Sequence, residues 1–137
     1  MKELYSMTKI RTENIVQSWL EKGDHDITAA EIILKSSEPL TDIICYHCHQ
    51  AVEKYLKAYL IHKEISFPKT HDLDYLIELC VKEELAFHNI KNDVKSLSEY
   101  SIETRYPGDI PISYDVEEAE EALKKVKKIL KFVKEFI

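Results

Sequence analysis

At 137 residues, with 45% apolar and 32% charged side chains, the chain is long enough to bury one real core and has the composition of an ordinary globular domain. A net charge of −6 argues against a general coat for duplex DNA, yet it permits a local basic site for a nucleotide or one RNA strand. No apolar run approaches the roughly 20 residues of a membrane span, and the opening MKELYSMTKIRTEN has no apolar stretch of the kind a secretory signal needs; the three cysteines are therefore expected to be reduced, in a cytoplasmic protein.

Two glycines and four prolines favour long uninterrupted helices over a turn-rich β fold. Residues 1–12 read as a loose leader. A first helix is expected from about Glu13 to Lys35, because Val16, Leu20, Gly23, Ile27, Ala30 and Leu34 recur at spacings of three and four. Trp19 flanks that stripe as a core or interface anchor. Asp26 lies just off it, either as a solvated acid or as a side chain that holds a basic group on the neighbouring helix. Pro39 ends the helix, and Thr41 or Asp42 is expected to cap the next one.

The second helix is expected from about Asp42 to Lys63. Ile44, Cys48, Ala51, Val52, Tyr55, Leu56, Ala58 and Tyr59 fall on an arc about 160° wide. One partner helix needs less, so this helix should sit centrally and touch at least two neighbours. Gln50, Lys54 and Lys57 form a narrow polar stripe with His47 at its edge. Glu53 stands beside Lys57 in the favourable i, i+4 order. Such a stripe either binds an anion or is the solvated back of a core helix, and spacing alone favours the second.

Ile65 and Phe67 are expected to cover the end of the bundle. Thr70 reads as the N-cap of a third helix, with Asp72 in its first turn and Leu73, Leu76, Ile77 and Cys80 turned inward. His71 reads as a cap-region histidine. A fourth helix, the weakest in periodicity, is expected over about Phe87 to Ile102. Glu103 to Ser113 is irregular and carries Arg105-Tyr106-Pro107, with one of the chain's two arginines. Loops of this kind carry function more often than helices do. A fifth helix opens with the capping-box pattern Asp115-x-x-Glu118, followed by an apolar stripe through Ala119, Leu123, Val126, Leu130 and Val133. Its acids come first and its lysines last, which suits the helix dipole, and the lysine run reads as a solvated face. Five helices with short links give an all-α fold, an antiparallel up-and-down four/five-helix bundle forming a single domain over residues 1–137.

Cys45-Tyr46-His47-Cys48-His49 matches the C-x-x-C-H spacing of haem attachment, but it lies inside a helix and lacks an evident second axial ligand. As a zinc site the same residues spread around the helix circumference and cannot converge on one ion. No metal or cofactor is expected. No phosphate-binding glycine loop or nucleophile elbow is present, and nothing points to a depressed thiol pKa at Cys45. The polar site that the residues best support joins Lys54, Lys57, His71 and Arg105. There the arginine grips phosphate with paired donors, the lysines act as point charges, and Tyr106 stacks on a base.

From about Trp19 to Leu130 the chain resembles the HEPN (higher eukaryotes and prokaryotes nucleotide-binding) domain family. His49-Gln50-Ala51-Val52-Glu53-Lys54-Tyr55-Leu56-Lys57-Ala58 is similar to the family's second-helix signature, Thr70-His71-Asp72-Leu73 to its T-H-D-L motif, and Arg105-Tyr106-Pro107 to an R-Y-P motif of many prokaryotic members. Asp26 fits an acidic position in the family's first helix. The resemblance implies a helical bundle, usually a homodimer, that binds a nucleotide or single-stranded RNA. It also implies a minimal nucleotidyltransferase partner in a toxin–antitoxin-like module. Many members are metal-independent ribonucleases with an arginine and a histidine four to six residues apart. Here Ile110, Pro111 and Ile112 follow Arg105 at those distances, and Val16, Gln17 and Ser18 follow Arg11, so the usual general acid/base is absent. The expectation is a binding protein more than an enzyme. Lys54, Lys57, His71, Arg105 and Tyr106 would meet the ligand, and Asp26, His49, Gln50 and Glu53 would support them. The alternatives are a purely structural partner-binding bundle and a ribonuclease in which His71 substitutes for the displaced histidine.

Overall fold

A computed structural model describes the backbone of residues 2–101 and 113–137, with side chains from residue 7 onward. Five α-helices carry the fold: α1 (Lys2–Leu34), α2 (Thr41–His62), α3 (Leu73–Glu83), α4 (His88–Ser96) and α5 (Val116–Lys134). Short 3-10 turns at Leu85–Phe87 and Ser98–Tyr100 flank α4. The described residues contain no strand, and the fold is the all-α bundle expected.

Helix α1 begins at Lys2, not near Glu13, so the expected loose leader is helical. Lys, Glu, Leu, Met and Arg are good helix formers, no glycine or proline interrupts them, and Thr12 Oγ1 donates back to the Thr8 carbonyl at 3.0 Å. Among the described side chains Val16 is the first buried apolar residue, while Met7 and Ile10 are exposed. At 33 residues α1 is about 50 Å long, against about 33 Å for the 22 residues of α2.

Helix α2 is the centre. Ile44, Cys48, Ala51, Val52, Tyr55, Leu56, Tyr59 and Leu60 are almost wholly buried, and the helix packs against α1, α3 and α5. Gly23 lets α1 come close, since its bare Cα lies against the ring of Tyr55. Phe87 closes the far end, 4.4 Å from Tyr59 and 5.3 Å from each of Phe132 and Phe136 between ring centroids.

The helix ends depart from the sequence reading in specific ways. Leu40 precedes α2 without a side-chain cap, and Thr41 Oγ1 instead donates to the Tyr114 carbonyl at 2.6 Å, tying the start of α2 to the lead-in of α5. The cap of α3 is Asp72, whose Oδ1 accepts from the amides of Asp74 (3.0 Å) and Tyr75 (3.3 Å). Thr70 forms a preceding turn, accepting from the Asp72 amide at 3.1 Å. The expected fourth helix is broken. The hydroxyls of Ser96 and Ser98 donate to the carbonyls of Asp93 and Lys95 at 2.7 Å, competing with the helical ladder. At α5, Asp115 Oδ1 accepts from the Glu118 amide at 2.8 Å, which is half of the expected box. The Glu118 carboxylate accepts from Tyr100 Oη at 3.2 Å.

Candidate functional site

Buried charge is costly unless paired, and α2 pairs His47, Glu53, Lys54 and Lys57 in two networks. In the first, Asp26 of α1 reaches across to α2, where Oδ1 is 2.8 Å from His47 Nδ1 and Oδ2 accepts from Lys54 Nζ at 2.6 Å. Asp26 is buried, whereas His47 and Lys54 are half-buried. In the second, Glu53 is 3% exposed and its Oε2 accepts from Lys57 Nζ at 2.9 Å. His71 Nδ1 lies 2.9 Å from the same oxygen. Lys57 is itself only 6% exposed. Its ammonium lies 5.6 Å from the ring centroid of Trp19 and 6.0 Å from that of Phe67, within cation–π range.

His49 stands one turn before Glu53, with Nδ1 4.0 Å from Oε1, too far for a hydrogen bond. Burial pushes its pKa down to about 4, so the ring is neutral near pH 7. His49 forms the floor of a cavity of about 460 Å³, with Lys69, His71, Asp72, Ser98 and Ser101 among its walls. His71 lies at the mouth, its side chain 62% exposed although Nδ1 is fixed on Glu53. Lys69 is exposed and has no carboxylate partner among the described residues.

The residues singled out from sequence therefore divide. Glu53, Lys57 and His71 share one network, which reaches the cavity through His71, and His49 lines the same cavity without a hydrogen bond to Glu53. Lys54 belongs with Asp26 and His47 in the other, and Asp26 does hold basic groups of the neighbouring helix. Gln50 is half-buried on α2 between them. Arg105 and Tyr106 lie outside the described residues. His71 bonds a buried carboxylate where a cap-region partner was expected. One participant escaped the sequence reading: Lys69 had only its place beside the Thr-His-Asp-Leu motif to mark it. His47, read at the edge of the polar stripe, joins Lys54 on Asp26. Cys45, Cys48 and Cys80 are free and buried, and burial pushes each thiol up to about 12, away from thiolate chemistry.

A helical bundle whose central helix carries buried acid–base pairs next to a Thr-His-Asp-Leu turn has the architecture of the HEPN fold. The HEPN domain profile matches residues 16–136, and the chain belongs to that family. A protein of Methanocaldococcus jannaschii named "Putative toxin MJ1304" is 30% identical over 135 residues, covering 87% of this chain and 86% of that protein. The crystal structure of ST0689, an archaeal HEPN homologue, is similar in fold, with a TM-score of 0.69 at 21% identity over 87% of this chain and 94% of that one. No helix among the described residues is long and apolar enough to cross a membrane.

Proposed function

We propose that this toxin-like HEPN protein holds the phosphate of a nucleotide or RNA at the cavity where α2 meets the start of α3, and that it acts with a minimal nucleotidyltransferase partner. One observation carries the reading. The cavity gathers His71 and Lys69 at its walls and has Ser101, the entry to the Arg-Tyr-Pro segment, at its rim. With Nδ1 held by Glu53, His71 presents Nε2 to the mouth. Lys57 lies behind the wall and contributes field, not contact, because it is buried on Glu53. Arg105 supplies the two-pronged grip and Tyr106 a stacking face. The partner, the homodimer and the cytoplasmic setting rest on the family and on the toxin name of the M. jannaschii relative.

A thermal-shift screen against nucleotides tests this. A ligand at a hundred times its Kd stabilises by about 2.7 kcal/mol, and Arg105→Ala or His71→Ala should remove that gain. No shift with any nucleotide for the unsubstituted protein refutes it. A second reading, a partner-binding bundle, is favoured by the neutralisation of both Lys54 and Lys57 by carboxylates. A tight complex with the nucleotidyltransferase, together with silence toward nucleotides, would select it. Ribonuclease action through His71 is tested by RNA cleavage with and without His71→Ala.

A further inference from the structure

The lysine run of α5 is more than a solvated face. Between Lys124 and Lys134 the sequence has six lysines and no acid. Three of them are engaged within the fold: Lys125 Nζ donates to Ser96 Oγ at 3.3 Å, Lys127 Nζ to Glu31 Oε2 at 3.2 Å and Lys128 Nζ to Asp93 Oδ2 at 3.1 Å. Lys124, Lys131 and Lys134 are exposed and have no carboxylate partner among the described residues. With Lys127 they follow spacings of three, four and three, so they form one row along the helix. The acids that open α5, Glu117 to Glu121, lie about 15–25 Å from Lys131 and Lys134 along the axis. That is beyond the screening length of about 8 Å at physiological salt, so those acids do not cancel the row.

The row borders a groove of about 420 Å³ between α1 and α5. Both helices pack mainly on α2, and Tyr55 of α2 lines the groove between them. Ile27 of α1 and Leu130 of α5 give it an aliphatic lining. The α1 side carries Thr28 and Asp24, and Asp24 accepts from Tyr55 Oη at 2.5 Å. Lys131 and Lys134 stand on the α5 side. None of these residues lines the cavity beside α3.

We propose that this groove docks an acidic amphipathic helix of a partner protein, with an aliphatic side chain over Ile27 and Leu130 and carboxylates on Lys131 and Lys134. Charge complementarity selects the occupant. Lys131 and Lys134 are one turn apart, and two glutamates one turn apart on a second helix match that step. The lining separates a peptide from a nucleic-acid strand. Tyr55 is 1% exposed, so the one aromatic residue at the groove offers no face to a base. Asp24, with Glu31 behind Lys127, repels a continuous run of phosphates. A helix can instead set its carboxylates on the α5 side and a hydroxyl or amide side chain against Asp24 and Thr28. Exposed ion pairs contribute modestly one by one, so the contact is weak and salt-sensitive. The inference does not rest on the cavity's role.

Fluorescence anisotropy of a fluorescein-labelled helical peptide of repeating Leu-Glu-Glu-Ala tests the proposal. The peptide should bind with a Kd below about 1 mM, and added salt should weaken it. Glutamine in place of its glutamates should cost about tenfold, and serine in place of its leucines about fivefold. Lys131→Glu with Lys134→Glu, checked for folding by circular dichroism, should weaken binding by about tenfold or more. Lys9→Glu with Lys82→Glu, an equal charge change at exposed sites on α1 and α3, should leave it unchanged. The Lys131 and Lys134 variant should in turn bind a repeat of Leu-Lys-Lys-Ala better than the parent does. An absence of binding overturns the proposal, as does equal affinity for the glutamate and glutamine peptides or an equal loss in the Lys9 and Lys82 variant. A polyuridine oligonucleotide that binds as tightly as the peptide, and is lost with Lys131→Glu and Lys134→Glu, also overturns it, because the row would then take any polyanion. So does self-association in sedimentation that the same two substitutions abolish, since a second copy of the chain would then hold the groove.

Discussion

Replacing Glu53 by alanine removes the acceptor shared by Lys57 and His71. Lys57 is 6% exposed and lies under Trp19 and Phe67, so its ammonium cannot recover its lost partner from solvent without displacing those rings. Breaking a buried pair from one side costs about 3–5 kcal/mol. For 137 residues, at about 2.1 cal/mol/K each, that is a fall in Tm of roughly 10–17 °C. Replacing both members, Glu53→Ala with Lys57→Met, removes the stranded charge and fills the space with a thioether. The double variant should recover to within about 2 kcal/mol of the parent. Urea unfolding followed by far-ultraviolet circular dichroism measures all three proteins at pH 7. A single variant that loses less than about 1 kcal/mol, or a double variant no more stable than the single one, refutes the claim that this pair is a buried, mutually dependent unit.

Three further outcomes follow from the same coordinates. Gly23→Ala places a methyl group 2.8 Å from Tyr55 Cδ1 and 2.9 Å from Cε1, against a ring anchored by its hydroxyl on Asp24 at 2.5 Å. Overpacking of about 1–3 kcal/mol, offset by about 1 kcal/mol of helix propensity, should leave the variant roughly 1 kcal/mol less stable; a higher Tm than the parent would contradict the close approach. His49 has its folded pKa pushed down to about 4 from 6.5. Between those values the unfolded chain binds a proton that the folded one refuses. Stability should therefore fall as pH drops from 6.5 toward 4, by about 3 kcal/mol in all, and His49→Gln should flatten that part of the profile. Cys45, Cys48 and Cys80 should resist a thiol reagent in the native protein and react once guanidinium unfolds it; rapid native labelling would show that the core opens.

The helices that were legible in the sequence are those whose apolar periodicity coincides with burial. The wide arc of α2 and the stripe of α5 announce helices that pack, and Asp26 could be read as a carboxylate reaching for a neighbour. The turns of α1 from Met7 to Glu13 were not legible, because side chains that stay outside the core leave no stripe to read. The break after α4 was hidden for another reason. The serine hydroxyls that compete with the ladder look like any polar residue on a helix face. Lys57 misled most. Its spacing puts it on the polar stripe with Lys54, but Trp19 from one element and Phe67 from another close over it, and no local pattern tells which distant side chains cover a position. Position along the helix also conceals that Lys54 and Lys57 answer to different carboxylates. Arg105 and Tyr106 carried much of the sequence-level expectation, and they lie outside the described residues.

The dominance of α2 also bears on the order in which the chain assembles. Its most extensive interface is with α1, its neighbour along the chain across the short link 35–40, while α5 returns from more than fifty residues away. Closing a short loop sacrifices less chain entropy than closing a long one, so the α1–α2 hairpin should form first and serve as the template onto which the carboxyl-terminal helix condenses. Kinetic analysis of truncations at Ala51 and Val126 checks this: high φ at the first and low φ at the second is the expected pattern, and the reverse would mean that the ends of the chain meet before its middle is built.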